Sequence, residues 1–136
     1  MKKLLTIFFA VSIVVIFSQC RIYYGKWKVY FWTSTSTTSA SYLYIDDVYK
    51  GELPYLREAP ECGNESSRKN ALYVKLESGK YDIKVKDKSG NTTFTEKLTI
   101  KRSRGSVTIA TSRDEKTGGS RNVSEGDCLA HEIYFE

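Results

Sequence analysis

Histidine is nearly missing from this 136-residue chain, which has one, His131. Proline occurs twice, glycine nine times, methionine once and cysteine three times. One imidazole leaves no zinc site built on several histidines, and no Ser-His-Asp or Cys-His-Asn arrangement unless His131 is its base. So little proline and glycine excludes a low-complexity or disordered chain. No apolar run reaches the roughly 20 residues of a membrane-spanning helix. Charge of neither sign dominates: 21 basic against 16 acidic side chains give +5. Lys2 and Lys3 belong to the apolar N-terminal segment, so 19 basic residues, or +3, remain beyond it. That balance describes an ordinary solvated surface and does not point to nucleic acid.

What is abundant is tyrosine, ten residues, with threonine, serine, valine and isoleucine around it. These residues favour strands over helices. The length allows one domain with one modest core.

Met1, Lys2 and Lys3 form a positive start, and Leu4 to Phe17 is apolar except for Thr6 and Ser12. A run of about fourteen residues suits the central region of a signal peptide. It ends in Phe17-Ser18-Gln19-Cys20. This junction resembles the lipobox of bacterial lipoproteins, where the cysteine is acylated before the leader is removed. Gln19 replaces the usual small residue and Phe17 the usual leucine. The likeness implies a leader over 1–19 that includes the signal-peptide helix, a lipidated tether over 20–25 anchored through Cys20, and a folded domain over 26–136. Two or three acyl chains would hold such a protein stably on a membrane. Arg21 follows the cysteine with no retention-type aspartate, so the outer membrane is the expected address, on either side of it.

With Cys20 consumed by lipid, Cys62 and Cys128 remain as a pair in an oxidising compartment, and a disulfide between them is expected. It would close a loop of about 65 residues, worth on the order of 4 kcal/mol in the chain-entropy treatment.

From Gly25 onward the chain alternates. In Lys26 to Trp32, Trp27, Val29 and Phe31 share one face, while Tyr30 and Trp32 share the other. Thr33 to Ser41 reads as an exposed loop or strand edge. Tyr42 to Ile45 and Val48 to Lys50 flank Asp46-Asp47, the pattern of a tight hairpin. Gly51 to Asn70 is a long connection holding both prolines and Cys62, a length that implies pinning or function. Leu72 to Leu76 resumes the alternation. Tyr81, Ile83 and Val85 point inward, with Asp82, Lys84 and Lys86 toward solvent. Phe94, Leu98 and Ile100 share a face, Val107 to Ile109 forms another strand, Ser112 to Asp127 is a polar loop, and Leu129 to Phe135 is the last strand. Seven to eight short strands without helical periodicity predict a small antiparallel β-sandwich, an all-β fold.

Two motifs carry a family likeness. Tyr44-Ile45-Asp46-Asp47-Val48-Tyr49-Lys50-Gly51, with Leu76 to Val85, resembles a PEGA-type repeat, a small transthyretin-like sandwich. Asp47 stands where that family has a turn glycine, and a long cysteine-bearing insertion separates the motifs. Phe31-Trp32, Pro60-Glu61-Cys62-Gly63, Leu76 to Tyr81 and Gly126-Asp127-Cys128 are also similar, in order, to the pattern of a group of small uncharacterised lipoproteins of Gram-negative bacteria. Neither resemblance implies a catalytic residue or a cofactor.

Several residues compete as sites. His131 is expected on the surface or at a strand edge. Asp46 and Asp47 offer two carboxylates, too few for a calcium loop. Glu58 and Glu61 are a carboxylate pair in a charged loop. Lys97, Lys101, Arg102, Arg104 and Arg113 border one hairpin and read as a solvated turn. The aromatic surplus is more informative: Tyr30, Trp32, Tyr42, Tyr44 and Tyr49 lie mostly opposite the core faces and form a candidate binding surface. In that role Trp32 is expected to be partly exposed, with Tyr44 beside it on the same sheet. The alternative is cross-strand pairing for stability. No catalytic set and no metal or other cofactor site emerges. The expected function is a non-catalytic structural or binding module of the cell envelope. Its partners are a membrane, through the anchor, and an envelope glycan or protein. The rivals are a carbohydrate- or peptide-binding surface using the aromatic face, a hydrolase inhibitor using the 51–70 loop, and a small envelope enzyme.

Overall fold

A computed structural model describes residues 25–103, 106–112 and 118–135. The leader 1–19 and Cys20 therefore lie outside the described residues, as do Arg104 and Arg113.

Among the described residues, nine strands occur in the order β1 (Lys26–Trp32), β2 (Tyr42–Ile45), β3 (Val48–Glu52), β4 (Leu72–Glu77), β5 (Gly79–Lys86), β6 (Thr92–Ser103), β7 (Ser106–Ser112), β8 (Gly119–Glu125) and β9 (Cys128–Tyr134). A single-turn helix, α1 (Glu65–Arg68), sits between β3 and β4. The strands form a four-stranded sheet, β4-β1-β9-β8, and a five-stranded sheet, β3-β2-β5-β6-β7. All pairs are antiparallel except β1 with β9, which run parallel with Phe31 opposite His131 and Trp32 opposite Glu132.

One core lies between the sheets. Trp27, Val29, Phe31, Leu76, Leu129 and Ile133 enter from the four-stranded sheet; Leu43, Ile45, Ile83, Val85, Phe94, Leu98 and Ile100 enter from the five-stranded sheet. Each set follows the period-two alternation of its strand, which fixes register because a one-residue slip would turn every apolar side chain outward. Tyr81 packs partly buried against this core, and its hydroxyl donates to the Glu77 carbonyl at 2.7 Å.

The β2–β3 hairpin turns at Asp46 and Asp47, with φ of 50° and 64°. Both central residues in the left-handed region is the type I′ geometry that matches strand twist. Aspartate tolerates it because its carboxylate finds local partners. Asp46 Oδ1 accepts from the Asp82 amide at 2.8 Å, and Asp47 pairs with Lys84 at 2.6 Å.

The 51–70 connection is pinned, as its length required. Thr33 and Tyr55 form a parallel bridge; the Thr33 amide donates to the Pro54 carbonyl at 2.9 Å and the Leu56 amide to the Thr33 carbonyl at 3.0 Å. Further along, Cys62 is disulfide-bonded to Cys128 on β9, with Cα atoms 5.7 Å apart.

The Ser112 to Asp127 segment departs from the sequence expectation. It contains β8, which pairs with β9 from Gly119–Tyr134 to Glu125–Cys128. The strand was hidden because its inward side chains, Ser120 and Asn122, are polar. They face a buried polar pair rather than a hydrophobic layer.

Candidate functional site

The five aromatic candidates do not form one surface. Tyr30 and Trp32 lie on the outer face of the four-stranded sheet, opposite Val29 and Phe31. Tyr42, Tyr44 and Tyr49 lie on the outer side of the five-stranded sheet, opposite Leu43 and Ile45. Tyr30 pairs with Tyr73 across β1–β4, ring centroids 5.4 Å apart, and Arg68 caps it at 5.1 Å. Tyr49 contacts Tyr42 at 6.2 Å and Tyr44 at 5.6 Å, and Lys86 Nζ lies 4.6 Å from the Tyr44 ring. The expected proximity of Trp32 to Tyr44 is therefore wrong, because they sit on different sheets. The expected exposure of Trp32 is wrong as well: it is 5% exposed. Alternation correctly turned its ring away from the core, but the 53–64 loop folds over that face.

This overlay builds a cleft of about 540 Å³ on the outer face of the four-stranded sheet. Its floor is Trp32 from β1 with Ala130 and Glu132 from β9; Ala59 to Gly63 make one wall, and Arg121, Val123 and Glu125 of β8 the other. The disulfide fastens the loop wall directly to the floor strand. Cys128, Ala130 and Glu132 are all buried on this outer side, while Leu129, His131 and Ile133 are buried on the inner side. β9 is thus covered on both faces. The Ser34 hydroxyl hydrogen-bonds to Glu132, and Arg121 Nε stands 3.8 Å from the same carboxylate. Val123 is the most open apolar residue on the rim, 65% exposed.

A second polar constellation is enclosed between the sheets. His131 is fully buried, which corrects its assignment to a surface or strand edge. β9 is not an edge strand, and His131 lies in phase with Leu129 and Ile133. Its Nε2 meets Glu96 of β6, a residue on the opposite sheet, and its Nδ1 meets Asn122 of β8. Ser120 donates to the other Glu96 oxygen at 2.6 Å. Phe31 packs edge-on to the imidazole at 5.2 Å. A flip of the Asn122 amide satisfies either a neutral ring or an imidazolium, since its oxygen accepts and its nitrogen donates. Every member of the network has a partner, as a buried polar group requires. The signal for Glu96 was present in the sequence: it falls in phase between Phe94 and Leu98, on the buried face of β6.

The remaining candidates separate. Asp46 and Asp47 serve the hairpin turn, and Lys84 holds the Asp47 carboxyl below its ordinary range through a hydrogen bond and charge attraction. Glu61 lines the cleft; Glu58 is exposed in the loop and does not. Lys97 and Lys101 are exposed along β6, and the backbone of Arg102 pairs with Val107. Among the described residues no three histidine, cysteine or acidic side chains gather to hold a metal ion, and no helix is long and apolar enough to cross a membrane.

In comparisons with known proteins, no family model, curated protein or solved structure matches the chain.

Proposed function

We propose that this chain is a lipid-anchored, non-catalytic binding module of the bacterial cell envelope, and that its ligand site is the cleft beside the disulfide. The cleft carries this reading. A concave, mainly apolar pocket with a few convergent polar groups is the usual form of a ligand site, and here the chain commits a disulfide and a long loop to building it. The lipid anchor rests on the sequence from Lys2 to Cys20, the outer-membrane address on Arg21 after that cysteine, and the likeness to small Gram-negative envelope lipoproteins on Phe31-Trp32, Pro60 to Gly63, Leu76 to Tyr81 and Gly126 to Cys128. The non-catalytic character is supported by His131, whose two ring nitrogens are engaged in the interior.

The cleft is favoured over two rival surfaces. Tyr42 and Tyr44 are tilted by 58° and 57° to the Tyr49 ring, a cross-strand packing cluster rather than a flat platform for a sugar ring. The 51–70 loop is bridged and disulfide-bonded to the sheet, whereas an inhibitor that plugs a hydrolase needs a protruding loop.

The test uses the full chain expressed in a Gram-negative host. Fatty-acid labelling should mark the wild type and not Cys20→Ala. An envelope component retained by the wild type should be released by Ala130→Trp, which fills the cleft floor. Equal retention by the filled variant refutes the cleft, and equal labelling of both chains refutes the anchor.

A further inference from the structure

We infer that the cleft takes the cationic side chain of an extended peptide, and that the peptide adds as a strand along the edge of β8. This deepens the proposed binding role and rests on the cleft being the ligand site.

Three observations converge. The first is charge. Glu61, Glu125 and Glu132 line the cleft against one cation, Arg121. Glu132 matters most, because its side chain is 11% exposed while that of Arg121 is 74% exposed, with Nε 3.8 Å from the carboxylate. The guanidinium thus sits mostly in water and the carboxylate mostly out of it. In such a low-dielectric position a second cation interacts far more strongly than it would with a solvated carboxylate.

The second is the apolar approach. Trp32 and Ala130 on the floor and Pro60 on the wall surround the path to Glu132. A lysine or arginine matches that surface with its methylene stem and the carboxylate with its head.

The third is the backbone. β8 ends the order β4-β1-β9-β8, and among the described residues no further strand pairs with it. Its outward residues Arg121, Val123 and Glu125 form the cleft wall. A strand added to β8 runs along that wall, and its alternate side chains fall on the cleft side. Main-chain pairing supplies affinity, and the acidic cleft supplies the preference for a basic residue.

The test is a titration of the oxidised full chain, in detergent, with two acetylated and amidated pentapeptides. One has the sequence Thr-Val-Lys-Val-Thr; the other carries norleucine in place of lysine. The lysine peptide should bind at least about tenfold more tightly, as expected for a cation meeting a desolvated carboxylate. It should shift the amide resonances of β8 and quench Trp32 fluorescence. Glu132→Gln should remove most of the lysine preference. Glu125→Gln, on the exposed rim, should reduce it without risk to folding, and Arg121→Gln should tighten lysine-peptide binding by removing the competing cation. Equal affinity for the two peptides overturns the charge rule while leaving the cleft as a ligand site. Binding without β8 amide shifts overturns strand addition. If neither peptide binds at millimolar concentration, the inference is wrong, even where Ala130→Trp still releases an envelope component and the cleft reading stands.

Discussion

Removing one member of the Glu96–His131 pair should destabilise the domain far more than removing both. The two side chains meet between the sheets, and both are fully enclosed. Glu96→Leu leaves the imidazole without its carboxylate and Ser120 without its acceptor; His131→Leu leaves a buried carboxylate held by Ser120 alone. Breaking a buried pair in this way costs about 3–5 kcal/mol, a large share of the roughly 5–15 kcal/mol that holds a domain folded. The double variant Glu96→Leu with His131→Leu puts two apolar side chains face to face beside Phe31 and Ile133. Such replacements are often neutral or stabilising, although Asn122 and Ser120 lose partners, so a loss of about 1–2 kcal/mol is expected. The assay is urea unfolding of the four proteins, comparing midpoints at constant m-value. The double variant should be more stable than either single one. If its loss equals the sum of the single losses within about 0.5 kcal/mol, the two side chains do not interact, and the account of how the sheets are joined fails.

Three further perturbations have defined outcomes. Trp32→Ala should cost about 3–5 kcal/mol, because the indole is buried under the loop; a loss below about 1 kcal/mol in urea unfolding would place the ring in solvent. Replacing Cys62 and Cys128 together by alanine should lower stability by on the order of 4 kcal/mol, and limited proteolysis should then cut first within 53–64; a loop still protected would show that the disulfide does not hold it. Asp87 accepts from the Asn91 side chain and from the Asn91, Ser89 and Gly90 amides, which holds its carboxyl below the ordinary value of 3.8. A depressed folded pKa contributes stability that is complete above the unfolded value and is lost as pH falls through the folded one. Asp87→Asn should therefore flatten the acid limb of the stability profile below about pH 4 and leave its shape near neutrality unchanged; an unaltered acid limb would contradict the turn's role.

Most of the sandwich was legible because its strands obey one rule. Trp27, Val29 and Phe31, or Ile83 and Val85, alternate with polar neighbours and could occupy only a sheet with one buried face. The Asp46-Asp47 turn and the pairing of Cys62 with Cys128 were equally readable. What stayed hidden depends on contacts distant in sequence. β8 looked like a loop because Ser120 and Asn122 are inward yet polar, and only the presence of Glu96 and His131 across the interior makes that sensible. Trp32 was placed on the correct face, but alternation says nothing about a loop some 25 residues later folding over it. The cleft follows from that overlay, so its residues carry no local signature. Glu132 and Arg121 become neighbours only through the β8–β9 register.

The cleft is tested most directly by photo-crosslinking in living cells from a benzophenone side chain placed at Val123, on its rim, and separately at Tyr49, on the opposite sheet. Both positions are more than half exposed, so accessibility does not distinguish them. A binding site in the cleft predicts a discrete adduct from position 123 that disappears with Ala130→Trp, and none from position 49. An adduct from position 49 alone, or one from position 123 that survives filling of the cleft, would contradict it.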